Sequence, residues 1–551
     1  MAQHVRDLQL IELKDSINSL NDTIRSLQEM LAAKDKQVAE LLARIDVMQE
    51  QNDFLKQKLF GRSSEKGIVQ IPGQMELFNE AEAEQKPELL SEEDAAAITQ
   101  EMDPPKKPRK SKATMKETLA GLPVEKVYLD LPDDQKVCSQ CGTPLEKIGT
   151  EFVRRELEIV PAKAKVIEYY SVNYKCPGCE KDFELPTIVK GKDGHPHMLH
   201  GMASSATVAY IMHQKYCNSM PLYRQEQDFK RLYGVDISRG TMANWIISNA
   251  TDFLTPMFDY FHRVYLGRKF NMADETPVQV LHEEGRKAKT KSYMWVFRSG
   301  ERDGPQMVLY RYYQTRAGEN AREFLKGFSG YLMCDGYSGY NSLPGVKRCS
   351  CWAHVRRYLV EAIPKGKQLD YSQPAVQGTL YVNRLFDMEK AILGAHKDPD
   401  AIKEARIRKE RPLLDSFWEW LDAQHPVKGT RLEKAVTYIR NRKKDLETYL
   451  EDGRCSLSNN ASERSVKPFV IGRKNWLFSD TPDGATASAV IYSIIETAKA
   501  NEVNSYHYLQ FLLDKCPNAS MSDEELDALA PWNRQVQLEV ERRFIDAQRI
   551  I

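Results

Sequence analysis

The sequence predicts a multidomain α/β protein, and three observations support this fold class. Residues 8–60 place apolar side chains at an average spacing of 3.5 positions, which is the period of a coiled coil. Two Cys-x-x-Cys pairs follow at 138–141 and 176–179, and this spacing is typical of a zinc site. Residues 266–365 alternate short apolar runs with polar turns, as a strand-rich α/β domain does.

Length and composition bound the class of protein. The chain has 551 residues, which is enough for three or four domains. Lys plus Arg and Asp plus Glu both number 78, and this balance argues against a simple basic protein that coats nucleic acid. Ten cysteines are too few for a disulfide scaffold, so we expect the reducing cytosol. We find no run of about eighteen apolar residues and no signal-peptide core, so we expect no membrane partner.

Residues 1–60 are predicted to form a leucine-zipper-like helix. With Leu10 at heptad position a, thirteen of the fifteen a and d positions up to Leu59 are apolar. A repeat held this long predicts a left-handed coiled coil, and Asn52 at an a position is typical of a residue that fixes register and strand number. We therefore expect a homo-oligomer, most simply a dimer. The alternative is one long helix packed on its own chain.

Residues 61–125 are predicted to be a disordered charged linker. Residues 75–103 carry a net charge of −9, and residues 104–116 hold six Lys or Arg and no acid. Low hydrophobicity, Pro and blocks of like charge predict disorder. The alternative is that the basic block contacts phosphates.

A zinc-binding ribbon is predicted at residues 126–192. Four thiolates close a tetrahedral shell, so the Zn²⁺ would be structural. The segments 151–160 and 165–174 between the two pairs alternate like strands, although this spacer is longer than usual. Four free thiols or two redox pairs are the alternatives. The candidate ligands are Cys138, Cys141, Cys176 and Cys179.

Three histidines follow in a Gly-rich stretch, and a second metal site or ordinary loop histidines are both open interpretations. They are His195, His197 and His200.

Residues 193–265 are predicted to be a helical, helix-turn-helix-like DNA-binding region. A helical pattern over 221–233 ends at Gly234, and Ser238 is a candidate N-cap for a second helix. Two helices joined by a short turn with Gly match the helix-turn-helix layout. A plain packed helical hairpin is the alternative. The candidate DNA contacts on the second helix are Arg239, Thr241 and Asn244.

The next segment, 266–365, predicts the first part of an α/β catalytic core. Strands are indicated at 269–281, 292–298 and 307–313, then a helix at 321–327 and a buried strand at 330–335. This is the element order of the ribonuclease H-like fold, in which the first and fourth strands lie side by side. Acids on both strands can therefore bind the same metal ions.

Three carboxylates suit this arrangement. Asp274 lies in the first strand, Asp335 ends the fourth, and Glu463 is offered by a later helix. Two Mg²⁺ ions held by such acids are typical of phosphodiester chemistry. Each acid also has a structural alternative: a strand end for Asp274, a turn former for Asp335 and a capping-box residue after Asn460 for Glu463.

The 128 residues between Asp335 and Glu463 exceed what a crossover needs, so a helical insertion is predicted at 366–450. The core resumes at 451–515, and 516–551 form a C-terminal tail. Residues 403–474 carry a net charge of +6, which favours a face that holds a DNA backbone. An ordinary solvated surface is the alternative. The neutral total is therefore a cancellation between segments.

Further candidates flank the acids. The CSCWAH segment places Cys349, Cys351 and His354 at a possible metal-ligand spacing, although a buried strand that feeds a helix is the simpler account. His354 is also a candidate near the scissile phosphate. Trp476 is a candidate for stacking on an unpaired base or, alternatively, a core residue. We expect the helix at 485–500 to pack against the sheet. The candidate phosphate contacts are Arg464, Lys467, Arg473 and Lys474.

Several long motifs together resemble the transposase of the insertion sequence sixty-six family, a bacterial DDE transposase family. They are ADETPVQVL, CDGYSGYN, CWAHVRRYLVEA, NNASERSVKPFVIGRKNWLF and AVIYSIIETAKAN. The likeness extends upstream through PLYRQEQ and GVDISRGTMANWI to the cysteine module and the leucine-rich helix, over about residues 8–515.

The resemblance implies a catalytic triad of Asp274, Asp335 and Glu463, with Mg²⁺ or Mn²⁺ as cofactor. It implies binding to the element's terminal inverted repeats and to target DNA, strand transfer, small accessory proteins and a place in the bacterial cytoplasm near the nucleoid. Members often carry Asp where this chain has Ser458. The alternatives are a non-catalytic zinc and helix-turn-helix regulator and a ribonuclease H-like nuclease without strand transfer.

Overall fold

The computed structural model describes residues 164–176, 187–190, 198 and 201–549, except Ser342 and Lys365, together with five helical positions between Arg25 and Lys34. Beyond those five positions, the predicted coiled coil and the predicted linker lie outside the described residues. The same is true of six predicted ligands: Cys138, Cys141, Cys179, His195, His197 and His200.

The described chain divides into two compact units. The helical unit contains Met333–Gly336 and Lys347–Asn459, and the sheet unit contains residues 164–332, Tyr337–Val346 and the chain from Asn460 onward. No helix in the described ranges is both long and apolar enough to cross a membrane.

The first half of the described chain carries six strands and five α-helices. In chain order they are β1 Asn173–Cys176, β2 Thr187–Lys190, α1 Ser205–Tyr216, α2 Leu222–Tyr233, α3 Arg239–Asn249, α4 Thr255–Leu266, β3 Phe270–Gln279, β4 Lys291–Ser299, β5 Val308–Tyr313, α5 Gly318–Phe324 and β6 Gly330–Cys334.

The second half is almost entirely helical. Its elements are β7 Val346–Ser350, α6 Trp352–Glu361, α7 Pro374–Ala395, α8 Pro399–Asp422, α9 Arg431–Arg440, α10 Lys443–Glu447, α11 Asn460–Trp476, α12 Pro482–Ala500, α13 Ser505–Lys515, α14 Asp523–Asp527 and α15 Arg534–Arg549.

The main sheet has the strand order β5-β4-β3-β6-β7. β3 and β4 pair antiparallel with Asp274 opposite Val296, and β4 pairs antiparallel with β5. The fourth strand in this part of the chain, β6, joins the sheet beside β3, where the Tyr331 N–H donates to Lys269 O at 2.8 Å. The three strands, helix and fourth strand occur in the order that the sequence predicts.

Helix α12 covers the edge of the sheet along β5, as expected. β5 is an edge strand, so its outward N–H groups need partners from outside the sheet. The Tyr310 N–H donates to Ser493 Oγ at 2.7 Å and the Val308 N–H donates to Thr497 Oγ1 at 3.0 Å. Two hydroxyl groups of α12 therefore supply acceptors for N–H groups of this strand.

Before the sheet, helix α2 ends and helix α3 begins where the sequence predicts. Gly234 has φ of 68° and ends α2, a left-handed conformation that suits glycine. Ser238 caps α3, and its hydroxyl accepts from the Thr241 N–H at 3.1 Å. Helices α1, α2 and α3 pack on one another, and Trp245 of α3 is almost fully buried.

Two local predictions are corrected. The alternating segment 165–174 is not a strand until Asn173: residues 164–172 have no regular structure, and Val166 and Tyr170 are exposed. Alternation predicts a strand only where a partner buries one face. The predicted helix at 321–327 instead spans Gly318–Phe324, where Gly318 lies so close to the Gly339 backbone that a Cβ would stand 2.7 Å from the Gly339 oxygen.

In the helical unit, every element from Pro374 to Leu450 is helical. α7 packs on α6 and α8, and α9 packs on α6. The buried guanidinium of Arg406 in α8 donates to both carboxylate oxygens of Glu389 in α7, at 2.9 and 2.6 Å. It also donates to the Tyr449 and Cys455 carbonyls. One side chain therefore ties two helices to the segment that leads toward α11. The predicted domain boundaries stay predictions.

Candidate active site and DNA-binding surfaces

Asp274 is half-buried on β3 and follows four buried residues, Phe270–Ala273. Its Oδ1 accepts a hydrogen bond from the Glu275 N–H at 2.8 Å. Because successive residues of a strand point to opposite faces, Asp274 and Glu275 serve different sides of the sheet.

Glu275 is a site-adjacent residue that the sequence interpretation did not select. Its side chain is only 1% exposed. Its Oε1 accepts from Arg316 Nε at 2.7 Å, and its Oε2 accepts from the Tyr340 hydroxyl at 2.5 Å. Both oxygens therefore have protein partners, which separates this carboxylate in function from its neighbour Asp274. The signal available in the sequence was the second acid in ADETPVQVL.

Glu463 lies in the first turn of α11, where a negative charge is favoured by the helix dipole. α11 packs against β3 and β4 of the same unit. The helix buries Ala461, Ser465 and Phe469, one residue per turn along a single stripe. The structure thus brings the helix with Glu463 onto the strand with Asp274.

Three long side chains hold α11 to the sheet. Arg298 of β4 donates to Ser465 Oγ at 3.0 Å, and the Tyr310 hydroxyl donates to the Ser465 carbonyl. Arg473 near the end of the helix donates to Thr276 Oγ1 at 3.1 Å and to the Pro277 carbonyl on β3. The N-terminal half of α11 is therefore anchored through Ser465, and its last turn through Arg473.

The start of α11 at Asn460 does not favour the capping-box alternative for Glu463, which stays an interpretation. That alternative required Asn460 to stand just before the helix, whereas Asn460 is the first helical residue. The preceding residue is Asn459, and the third helical residue is Ser462 rather than Glu463. Glu463 is therefore one position too late for the reciprocal bond of a capping box.

Asp335 follows β6 and belongs to the helical unit, where it is half-buried. Two arginines of that unit hold its backbone. Arg348 donates to the Asp335 carbonyl, and Arg442 Nη2 donates to the Gly336 carbonyl at 3.0 Å. Gly336 lies against this guanidinium, since a Cβ there would stand 2.6 Å from Arg442 Nη2. A larger residue at this position would require the Arg442 guanidinium to shift.

The CSCWAH segment forms a buried strand that feeds a helix, the simpler of its two interpretations. Cys349 lies in β7 and Cys351 precedes α6, and both are buried. Burial raises the pKa of the Cys349 thiol, which disfavours the thiolate that a metal needs. Cys351 Sγ accepts from the Asn459 N–H at 3.2 Å. His354 lies half-buried in the first turn of α6.

The chemistry of the three acids suits a hard divalent cation, since Mg²⁺ and Mn²⁺ prefer carboxylate oxygens. Asp274 and Glu463 lie in the sheet unit and Asp335 in the helical unit. Among the residues that the structure describes, no group of three or more His, Cys, Asp or Glu side chains is arranged as a metal site.

The N-terminal half of α3 faces solvent at two of its three predicted DNA contacts. Arg239 and Asn244 are exposed. The Thr241 hydroxyl lies 2.9 Å from Ser238 Oγ and so completes the helix cap. Thr241, Asn244, Trp245 and Ser248 line an open cavity of about 430 Å³. The structure therefore leaves Arg239 and Asn244 accessible to a ligand.

The candidates on α11 have different surroundings. Arg464 is exposed and lies 3.8 Å from Glu301, and Lys474 is also exposed. Lys467 is half-buried. Arg473 uses its guanidinium on β3, as described above. Trp476 packs edge to face on Phe469 with the ring centroids 5.5 Å apart, which favours the core alternative for this residue.

The described part of the cysteine module is a two-stranded antiparallel sheet. β1 pairs with β2 so that Cys176 stands opposite Thr187. The second Cys-x-x-Cys pair therefore begins at the end of a strand, as in a ribbon.

Fold and site together define a multidomain α/β protein with acids on a central strand and on the helix that packs on it. Family models match most of the chain. The model "Transposase IS66 family" matches residues 200–487, and "zinc-finger binding domain of transposase IS66" matches 135–180. "IS66 C-terminal element" matches 493–532 and "Transposase C of IS166 homeodomain" matches 48–127. The chain belongs to the IS66 transposase family, which confirms the resemblance seen in its motifs.

Relatives of similar length are known by sequence. "Uncharacterized protein y4qI" of Sinorhizobium fredii (strain NBRC 101917 / NGR234) is 31% identical over 71% of this chain and 72% of the relative. "Uncharacterized protein y4jD" of the same strain is 28% identical over 73% of this chain and 78% of the relative.

Among solved structures, "Drosophila P element transposase strand transfer complex" matches with 11% identity and a TM-score of 0.22. The match covers 61% of this chain and 94% of that chain. By its membership of the IS66 transposase family, the protein is a DNA transposase, and DNA is its partner.

Proposed function

We propose that this transposase cleaves and joins DNA strands by two-metal-ion chemistry at Asp274, Asp335 and Glu463. The observation that carries the proposal is the packing of α11, with Glu463 in its first turn, on the strand that bears Asp274. Asp335 directly follows β6, the strand next to β3 in the sheet order. A ribonuclease H-like core, in which such strands supply the acids, is part of this proposal.

The three side chains would hold Mg²⁺ or Mn²⁺ through carboxylate oxygens. When bound, such ions offset phosphate charge and make a nucleophilic hydroxyl more acidic. The protein's own contribution is to orient the acids. Arg298 and Arg473 fix the helix of Glu463 on the sheet, and Arg348 fixes the backbone of Asp335.

The remaining parts would bind DNA and assemble the protein. Arg239 and Asn244 on α3 would contact the element's terminal inverted repeats, and the basic segment 403–474 would contact the DNA backbone. The four cysteines at 138–141 and 176–179 would hold a structural Zn²⁺, which the zinc-finger match over 135–180 supports. The helix at 1–60 would form a homodimer.

The test is strand cleavage and strand transfer by the purified full chain, with duplex DNA of the element's own end and Mg²⁺. Asp274→Asn, Asp335→Asn and Glu463→Gln should each lower the cleavage rate by about a hundredfold or more. DNA affinity should persist. Glu284→Gln removes an exposed acid of the β3–β4 turn and serves as the matched control. Unchanged cleavage by the three variants would refute the triad.

The same assay distinguishes transposase activity from two alternative functions. A non-catalytic zinc and helix-turn-helix regulator would bind the element end without cleaving it in either metal. A ribonuclease H-like nuclease would cleave without forming the joined product. Formation of a joined product by the wild type therefore supports transposase chemistry against both.

A further inference from the structure

Three side chains of the helical unit form a continuous stack. The rings of Tyr358 on α6 and Tyr438 on α9 have centroids 4.4 Å apart at an interplanar angle of 32°. The guanidinium of Arg442, just after α9, lies 4.0 Å from the centroid of the Tyr438 ring. Tyr358 is distant in sequence from the other two residues, and the packing of α9 on α6 brings it to them.

Arg442 lies at one end of the stack, the inner end, and Tyr358 lies at the other, the outer end. Tyr438 is half-buried, and burial raises the pKa of its hydroxyl, so the ring stays neutral. Tyr358 is 37% exposed, so part of its ring meets solvent. Because Tyr438 already holds one side of the Tyr358 ring, that ring loses little conformational entropy when a planar ligand binds on its other side.

The inner end of the stack reaches the backbone beside a proposed metal ligand. Arg442 Nη2 donates to the Gly336 carbonyl at 3.0 Å, and Asp335 is the preceding residue. Asp335 also contributes to the raised pKa of Tyr438 through its charge. The aromatic platform and Asp335 therefore lie close together within one unit.

A cavity of about 340 Å³ opens beside the two rings. This volume is at the lower end of the range of small-molecule sites. It offers an ammonium, a hydroxyl and a side-chain amide beside the aromatic surface. Its lining residues are Tyr358, Glu433, Lys434, Thr437, Tyr438 and Asn441.

The cavity itself is lined by one cation, Lys434, and one acid, Glu433, but the segment that carries them is basic. Residues 431–444 contain six Lys or Arg and a single acid, Glu433. Lys434 and Asn441 are exposed. A nucleic-acid strand matches both features, since its phosphates meet the cations and its bases supply planar rings for stacking. A neutral or basic protein ligand would account for the rings but not for the excess of positive charge.

We propose that Tyr358 and Tyr438 form a stacking site for an unpaired DNA base next to the bond that is cut, with Lys434 on a flanking phosphate. The assignment of Asp335 to that bond rests on the proposed function, whereas the stacking itself does not. The base-stacking role considered for Trp476 thus belongs to Tyr358, because Trp476 is packed on Phe469.

The experiment uses the full chain and a DNA duplex with a short single-stranded overhang that carries 2-aminopurine, without divalent metal. Stacking on tyrosine should quench the fluorescence of this base. Tyr358→Leu should abolish most of the quenching and weaken binding of the overhang probe by about five- to a hundredfold, the range that the loss of one base–aromatic stack implies. Affinity for a blunt duplex should change by less than about twofold.

Two further variants serve as controls for this experiment. Tyr358→Trp preserves a stacking surface and should retain the quenching. Tyr371→Leu removes another exposed tyrosine of the same unit and should behave like the wild type. The proposal is overturned if the wild type does not quench, if Tyr358→Leu quenches equally, or if Tyr371→Leu loses as much signal.

Failure of the triad would look different. If Asp335→Asn still cleaves DNA while quenching depends on Tyr358, the assignment of Asp335 as a metal ligand is refuted and the stacking site is supported. If Asp335→Asn loses cleavage while Tyr358→Leu keeps full quenching, the stacking site falls and the triad stands.

Discussion

Arg316 Nε donates to Glu275 Oε1 at 2.7 Å, and the same guanidinium lies 4.0 Å from the centroid of the Tyr337 ring. The Tyr337 hydroxyl in turn donates to the Arg316 carbonyl, and Tyr340 donates to Glu275. A buried carboxylate beside Asp274 thus organises the segment Ser338–Tyr340 that follows the second acid. Glu275 is paired with Arg316, and its neighbour Asp274, on the other face of the strand, is the acid that the proposed function assigns to the metal ions.

Loss of Arg316 should destabilise the sheet unit. Arg316→Leu leaves the buried Glu275 carboxylate with an uncompensated charge, and we expect the free energy of unfolding to fall by about 1–3 kcal/mol. Urea denaturation followed by tryptophan fluorescence measures this change. Arg322→Leu is the control, because Arg322 pairs with Glu319 at 3.3 Å on an exposed surface, where such pairs contribute about 0–1 kcal/mol. Equal losses in the two variants would contradict the role of Arg316.

Glu410 should make the stability of the helical unit depend on pH. Burial, followed by the nearby Glu389 carboxylate, raises the pKa of Glu410 from 4.5 to about 8. Between these pKa values the folded chain retains a proton that the unfolded chain has lost, so the stability falls as pH rises through this window.

Glu410→Gln removes this titration but keeps an oxygen for the Tyr449 hydroxyl, which donates to Glu410 Oε2 at 2.8 Å. The free energy of unfolding of the variant relative to the wild type should rise with pH from about 4.5 to 8, by up to about 1.4 kcal/mol per pH unit. Glu404→Gln, at an exposed position of the same helix, provides the control. A pH-independent difference for Glu410→Gln would show that this carboxyl does not titrate as stated.

Arg239 should contribute to DNA affinity without contributing to stability. It is exposed in the first turn of α3, so Arg239→Ala should weaken DNA binding and lower the slope of log affinity against log salt by about one. Fluorescence anisotropy at several salt concentrations measures both quantities. Lys326→Ala, an exposed cation after α5, should leave the slope unchanged. An identical slope for Arg239→Ala would remove this residue from the interface.

The cysteine module should bind one zinc ion per chain. Cys176→Ser removes one of the four predicted thiolates, so the zinc content after dialysis should fall well below that of the wild type. Cys217→Ser is a suitable control, because Cys217 lies 3.7 Å from Ser505 Oγ and belongs to no Cys-x-x-Cys pair. Elemental analysis measures the zinc content of the two purified variants. An equal zinc content in both would refute the ribbon site.

The N-terminal helix should determine the oligomeric state. Deletion of residues 1–60 should convert the homo-oligomer to a monomer, because the heptad positions supply its apolar interface. Light scattering coupled to size-exclusion chromatography measures the mass. Substitution of Asn52 by Leu should keep an oligomer but change its strand number or register. An unaltered mass after the deletion would place self-association elsewhere in the chain.

Much of the fold could be predicted from the sequence, because the residues that end a helix or form a strand are close together in the chain. Gly234 and Ser238 mark the end of one helix and the start of the next by their own backbone and side-chain chemistry. The three strands, helix and fourth strand follow from runs of apolar residues between turns. The alternation at 165–172 did not predict the structure correctly, because residues 164–172 are irregular and their side chains are exposed.

The sequence by itself determined the family, the element order of the core and the three candidate acids, since motifs and periodicity reside in consecutive residues. Only the tertiary structure decided the partners of long side chains. Arg473 was a candidate for phosphate but holds β3, and Trp476 packs on Phe469. Tyr358 meets Tyr438 only because α9 folds back onto α6. Such contacts depend on helix packing, which local pattern does not encode.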